Sequence, residues 1–111
     1  MINEIQKLKG AGIRCCLATN QDNRRAEFLE RLPLLRELFP DQYFSCRIRA
    51  VKPYRDYFAR VQSLLELQGE EILFVDDKEE NVSGALAHGW CAALCRDVVG
   101  LRLNLSKYGL G

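Results

Sequence analysis

Apolar residues recur at two different periods along this chain, and the alternation between them lays out its elements. Ile2, Ile5 and Leu8 return at helical spacing and Gly10 and Gly12 follow, which predicts a short opening helix with a glycine stop. Ile13 to Ala18 (IRCCLA) is a short, mostly apolar run ending at Thr19-Asn20, the pattern of a buried parallel strand that enters a polar loop. Asn20 or Asp22 can then cap a helix running through Arg24, Phe28, Leu29 and Leu32. Pro33 breaks that helix, leaving a second helical stretch around Leu34 to Phe39 that Pro40-Asp41 ends. Tyr43 to Ser45 is a weak strand signal. From Pro53, a residue suited to a first helical position, Tyr57, Phe58, Val61, Leu64 and Leu65 mark an amphipathic helix that Gly69 stops. Ile72 to Val75 (ILFV) is the strongest strand signal in the chain, and it stops at Asp76-Asp77. Asn81 to His88 reads as a helix with Gly89 as its C-terminal stop, Trp90 to Leu94 as a last strand, and the remainder as a partly amphipathic tail. Strands alternating with helices imply an α/β fold with a mostly parallel sheet covered on both faces, a three-layer sandwich.

At 111 residues the chain is long enough for one hydrophobic core, so a single domain over 1–111 is expected. The 16 Lys+Arg and 15 Asp+Glu leave a formal net charge of +1, and no bulk field favours nucleic acid or an anionic membrane. Five cysteines, Cys15, Cys16, Cys46, Cys91 and Cys95, are an odd number without CxxC or Cys/His metal spacing. They read as buried, reduced thiols of a cytosolic protein. The opening MINEIQKLKG is too polar for a signal peptide, and no apolar run approaches the roughly 20 residues of a membrane span. A soluble, cytoplasmic protein is expected.

In sheets of this kind ligands bind beyond the carboxyl ends of the strands. Thr19 ends the first strand, Lys52 precedes the helix opened by Pro53, and Asp76-Asp77 end the ILFV strand. A hydroxyl, an ammonium and a carboxylate pair can hydrogen-bond a phosphoryl oxygen, balance its charge and hold Mg²⁺ against it. Each has a plainer use: Thr19 as a strand-end or capping hydroxyl, Lys52 as a solvated helix-start lysine. Adjacent aspartates at a strand end are the rarer feature, because side-by-side carboxylates cost energy unless a cation or amides compensate them. Asn81 stands four residues beyond Asp77, where it could steady a metal site, although capping the helix is its commoner role. His88, beside Gly89, reads as a surface residue of a last helical turn.

The order of these pieces carries more than any one of them. A strand then Thr19-Asn20, Val51-Lys52-Pro53 before a helix, Ile72 through Asp76-Asp77, then Asn81-Val82 and Ala87-His88-Gly89, resembles the second, third and fourth motifs of the haloacid-dehalogenase-like (HAD-like) hydrolases. The match runs from about Gly12 to Trp90, and LFVDDKEENVSGALAHGW is similar to the fourth motif and the helix after it. The resemblance implies a Rossmann-like core and a Mg²⁺-dependent phosphohydrolase that cleaves phosphate monoesters of small substrates through an aspartyl-phosphate. It would make Thr19 and Asn20 phosphoryl-binding residues, Lys52 the stabiliser of nucleophile and phosphoryl charge, and Asp76 and Asp77 the Mg²⁺ ligands. A phospho-acceptor receiver domain also gathers an acidic pair, a Thr and a Lys at strand ends, but there the acidic pair comes first and the Lys last, the reverse of the order here.

One departure matters equally. Those hydrolases open with a strand ending in Asp-x-Asp, whose first aspartate attacks phosphorus and whose second is general acid and base. The six aspartates here, Asp22, Asp41, Asp56, Asp76, Asp77 and Asp97, include no two separated by one residue. The expectation is a core truncated at its N-terminus, with nucleophile strand and cap both absent and no turnover by this chain alone. The alternative is a non-catalytic binding or regulatory module, either a pseudoenzyme or one half of a split enzyme. In the family the nucleophile strand lies between the strands Ile13 to Ala18 and Ile72 to Val75. Its absence predicts either direct pairing of those two strands or a strand borrowed by self-association or from a partner.

Overall fold

The computed structural model describes residues 2–110, and these form two compact units divided between Arg49 and Ala50. The order of elements is α1 (Ile2–Gly10), β1 (Cys16–Thr19), α2 (Asn23–Glu30), α3 (Pro33–Leu38), β2 (Asp41–Phe44), α4 (Ser45–Ile48), α5 (Arg55–Leu65), β3 (Leu73–Asp76), α6 (Glu79–Ala87), β4 (Cys91–Leu94) and α7 (Val98–Lys107). This is the expected α/β pattern, and every strand pairing is parallel. No described helix is long and apolar enough to cross a membrane.

In the first unit β1 pairs with β2, Cys16 opposite Asp41 and Thr19 opposite Phe44, with α2 and α3 forming the crossover that parallel strands require. Asp22 is the residue that caps α2, its Oδ1 accepting the Arg25 N–H at 2.8 Å. Pro33 occupies the start of α3, where its missing N–H costs nothing. Ala26, Leu38 and Phe44 form the buried centre. Two expectations shift here. The strand signal at Ile13 becomes a strand only from Cys16, because the Ile13 N–H is drawn back to the Leu8 carbonyl at 2.9 Å to close α1. β2 begins at Asp41 and ends at Phe44, so Ser45 opens α4 instead of ending a strand; α4 is four residues long, too short for periodicity to announce.

In the second unit β3 pairs with β4, Leu73 opposite Cys91 and Asp76 opposite Leu94, across the single helix α6. The core is a ring cluster. Phe58, fully buried, meets Tyr57 at 5.7 Å, Phe74 at 5.7 Å and Trp90 at 5.2 Å, all edge to face. Trp90 satisfies its indole N–H by donating to Gln62 Oε1 at 2.9 Å. Pro53 does not begin α5. It lies in a turn closed by the Tyr54 N–H on the Val51 carbonyl at 3.0 Å, with a cis Lys52-Pro53 peptide, and the helix starts at Arg55. Nor does Gly69 stop α5: Glu66 does, in the left-handed conformation (φ 58°). Gly69 instead opens a short 3₁₀ turn, where a Cβ would lie 2.5 Å from the Gly89 carbonyl oxygen. The glycine after α6 has its expected role, Gly89 reversing the chain at φ 90°.

An equally tight packing constraint falls on Gly84, on the face of α6 toward the Val51–Tyr54 turn. A Cβ there would meet the Pro53 carbonyl oxygen at 2.5 Å and a Phe58 ring carbon at 2.9 Å. Alanine is the better helix former by about 1 kcal/mol. Overpacking should nevertheless win, and Gly84→Ala is expected to destabilise the protein by about 1–3 kcal/mol in chemical denaturation. A Gly84→Ala protein more stable than the parent would show that α6 can retreat from this turn at no cost.

Candidate functional site

The ILFV strand delivers Asp76 at its carboxyl end, and the Val51–Tyr54 turn delivers Lys52 to it. Lys52 Nζ donates to Asp76 Oδ2 at 2.8 Å, with side chains only 8% and 9% exposed. Asn81 Nδ2 donates to the same oxygen at 3.2 Å, and the Lys78 N–H to Oδ1 at 3.0 Å. The ammonium also lies 5.5 Å from the centre of the Phe74 ring. Burial by itself pushes the Asp76 carboxyl up; the hydrogen bond and charge of Lys52, with the Lys78 amide and Asn81, outweigh it and hold the group below its ordinary value. Asp77, one residue past the strand, turns out to solvent.

Asn81 is therefore not a cap. Lys78 holds the cap position, and Asn81 is buried one turn inside α6 with its amide on Asp76. Its five-residue spacing from Asp76 was the available signal, since a strand-end residue and the first turn of the next helix meet at that separation. His88 matches its expected place as the residue closing α6, its ring edge-on to Trp90 at 6.3 Å. The cysteines are free but less buried than expected: only Cys95 is buried, and Cys15, Cys16, Cys46 and Cys91 are half-exposed.

Thr19 and Asn20 belong to the first unit, Thr19 closing β1 half-buried and Asn20 exposed in the loop after it. Thr19 Oγ1 accepts from Gln21 Nε2 at 3.1 Å. Ser45, buried at the start of α4, receives the Gln21 N–H at 2.9 Å and donates to the Gln21 carbonyl at 3.2 Å. Gln21 and Ser45 were not picked out by sequence reasoning, because neither lies in a motif and their link spans 24 residues.

As a cation site, the described residues offer two adjacent carboxylates and no group of three His, Cys, Asp or Glu. Asp76 already accepts three hydrogen bonds, leaving about one of its four lone-pair positions, while Asp77 faces water. That suits a hydrated hard cation such as Mg²⁺, which keeps several waters and takes one or two carboxylates together with substrate oxygens.

The buried pair gives a pH test. A carboxyl held below its unfolded value of about 3.9 contributes stability above that pH and loses it as pH falls through the lower folded value. Stability of the parent chain is thus expected to fall on acidification below about pH 4, and Lys52→Met should flatten that dependence while costing roughly 3–5 kcal/mol at neutral pH. Urea melts from pH 2 to 7 would check it; identical acid slopes in both proteins would exclude Lys52 as the source.

Residues 2–89 match the family model for haloacid dehalogenase-like hydrolases. The chain is 26% identical, over 96% of its length, to bifunctional epoxide hydrolase 2 of Rattus norvegicus, and it spans a fifth of that protein. Among solved structures, a predicted HAD-like family hydrolase from Porphyromonas gingivalis superposes with a TM-score of 0.81 at 22% identity, over 99% of this chain and 56% of that one. L-2-haloacid dehalogenase from Xanthobacter autotrophicus, with chloropropionic acid covalently bound, gives 0.73 at 21% identity, over 99% and 45%. At those identities the structures establish the fold, and the family match over most of the chain establishes the rest: this chain belongs to the haloacid dehalogenase-like hydrolases.

Proposed function

We propose that this chain carries the phosphoryl- and metal-binding residues of a Mg²⁺-dependent phosphohydrolase acting on small phosphate monoesters. In this reading Thr19 and Asn20 hydrogen-bond phosphoryl oxygens, Lys52 balances phosphoryl charge, and Asp77 with the remaining lone pair of Asp76 holds the ion. The observation that carries it is the unequal acidic pair, one carboxylate buried and neutralised by Lys52 and the next exposed. Magnesium, when bound, would supply charge neutralisation and a template for the phosphoryl oxygens; orientation falls to Lys52, Asn81 and Thr19.

No Asp-x-Asp occurs in these residues, and we infer that the attacking carboxylate is not among them. That observation also supports a second reading, a non-catalytic binding or regulatory module. Each strand has one sheet neighbour among the described residues, β1 with β2 and β3 with β4. A strand with one neighbour leaves an edge that another strand can cover, and we infer that a second copy or a strand-donating partner adds to the sheet.

Three outcomes follow. The 111-residue chain should show no turnover of p-nitrophenyl phosphate with Mg²⁺, and robust turnover abolished by Asp76→Ala would place the nucleophile within it. Mg²⁺ binding by calorimetry should be weak, stronger with phosphate present, and lost in Asp77→Asn; tight binding indifferent to Asp76 and Asp77 would exclude this site. Sedimentation at micromolar concentration should show self-association, and a stable, cooperatively folding monomer would remove the second copy.

A further inference from the structure

We infer that Ser45 and Gln21 are positioning residues that set the direction of the Thr19 hydroxyl proton, which deepens, and rests on, the phosphoryl reading of Thr19. A hydroxyl has one proton and two acceptor positions. Gln21 Nε2 donates to Thr19 Oγ1 at 3.1 Å, so one acceptor position is filled and the proton is turned away from Gln21. A donor so directed suits a phosphoryl oxygen, which can only accept.

Gln21 can do this only where its backbone is fixed, and the loop after β1 has no ladder to fix it. Ser45 supplies the fixture. Its buried hydroxyl both accepts the Gln21 N–H at 2.9 Å and donates to the Gln21 carbonyl at 3.2 Å, satisfying both backbone groups of one residue with one side chain. β2 places Ser45 there, since Phe44 is the parallel partner of Thr19 and Ser45 is the next residue. The relay thus runs from a buried serine just past the end of one strand, through a glutamine, to the hydroxyl at the end of its neighbour. Arg47 ties α4 to α2, the helix that follows this loop, donating to Asn23 Oδ1 at 3.1 Å and Glu30 Oε1 at 2.8 Å.

Two substitutions separate this from a packing role. Gln21→Glu keeps size and shape at a half-exposed position but can only accept; it would draw the Thr19 proton to itself and set a negative charge beside the anion. Ser45→Ala removes the fixture, and Ser45→Thr restores a hydroxyl.

The test titrates inorganic phosphate into the ¹⁵N-labelled full chain, following the Thr19 and Asn20 amides by NMR, with Thr19→Val as the reference variant. Gln21→Glu and Ser45→Ala should each weaken phosphate binding about tenfold, the scale of a hydrogen bond to a charged group, while Ser45→Thr stays within about threefold of the parent. Gln21→Glu should do so with an unchanged thermal midpoint. Phosphate affinity unchanged in Gln21→Glu and Ser45→Ala but lost in Thr19→Val would overturn the relay and leave the phosphoryl reading standing. Phosphate that shifts neither amide in the parent, or binds Thr19→Val as well as the parent, would overturn that reading and the relay with it.

Discussion

A carboxylate at the end of an apolar strand must be compensated, and the second unit is arranged around that requirement at Asp76. Taking a carboxylate out of water costs several kcal/mol unless charge and hydrogen bonds replace the lost hydration. Lys52, Asn81 and the Lys78 amide are that replacement, the first from the Val51–Tyr54 turn and the other two from the start of α6. Lys52 reaches Asp76 from the Val51–Tyr54 turn, and the turn is held against α6 because Gly84 offers no Cβ. α6 in turn is pinned to β3 by Asn81. The ring cluster of Phe58, Phe74 and Trp90 lies beneath, with Phe74 facing the lysine ammonium. The polar pair and the apolar core are thus one construction, joined at Phe74.

The same arrangement explains why two adjacent aspartates do not share one role. Asp76 is bound on three sides and cannot leave without exposing a buried lysine, so at most one of its lone pairs is open to a further partner. Asp77 has neither partner nor cover of that kind and remains open to whatever cation approaches. A pair of equally exposed carboxylates would repel each other and raise one another's affinity for protons. Neutralising the first with Lys52 relieves that repulsion, which the proposed cation-binding role of Asp77 requires.

Much of this was legible in the sequence because its strongest signals were local. ILFV followed by two aspartates fixes a buried strand and its polar end, and Gly89 and Pro33 mark real helix boundaries. The fold class follows from the alternation alone. Where reading failed, a longer-range contact overrode a local rule. Pro53 looks like a first helical residue, yet the Val51–Tyr54 turn claims it; Gly69 looks like a helix stop, yet the close approach of Gly89 explains it and Glu66 ends the helix. Asn81 looks like a cap until β3 brings Asp76 to its amide. Ser45 and Gln21 carry no local signal at all, since their partnership exists only once β1 and β2 are paired.

Thr19 has a hydroxyl, but its neighbour is an amide that donates, and a hydroxyl without an adjacent base is a poor nucleophile. The thiols of Cys15, Cys16 and Cys95 are pushed up by burial, which keeps them protonated and unreactive. His88 closes the far end of α6 from Asp76, roughly 14 Å along a nine-residue helix, and lies edge-on to Trp90. Asp76 is a carboxylate, but three donors hold it in place and its charge is neutralised by Lys52, which makes it a poor attacking group. What the described residues do have is an exposed carboxylate, Asp77, beside one that Lys52 neutralises. That arrangement accords with the proposed phosphoryl- and metal-binding role, in which the attacking carboxylate is not among these residues.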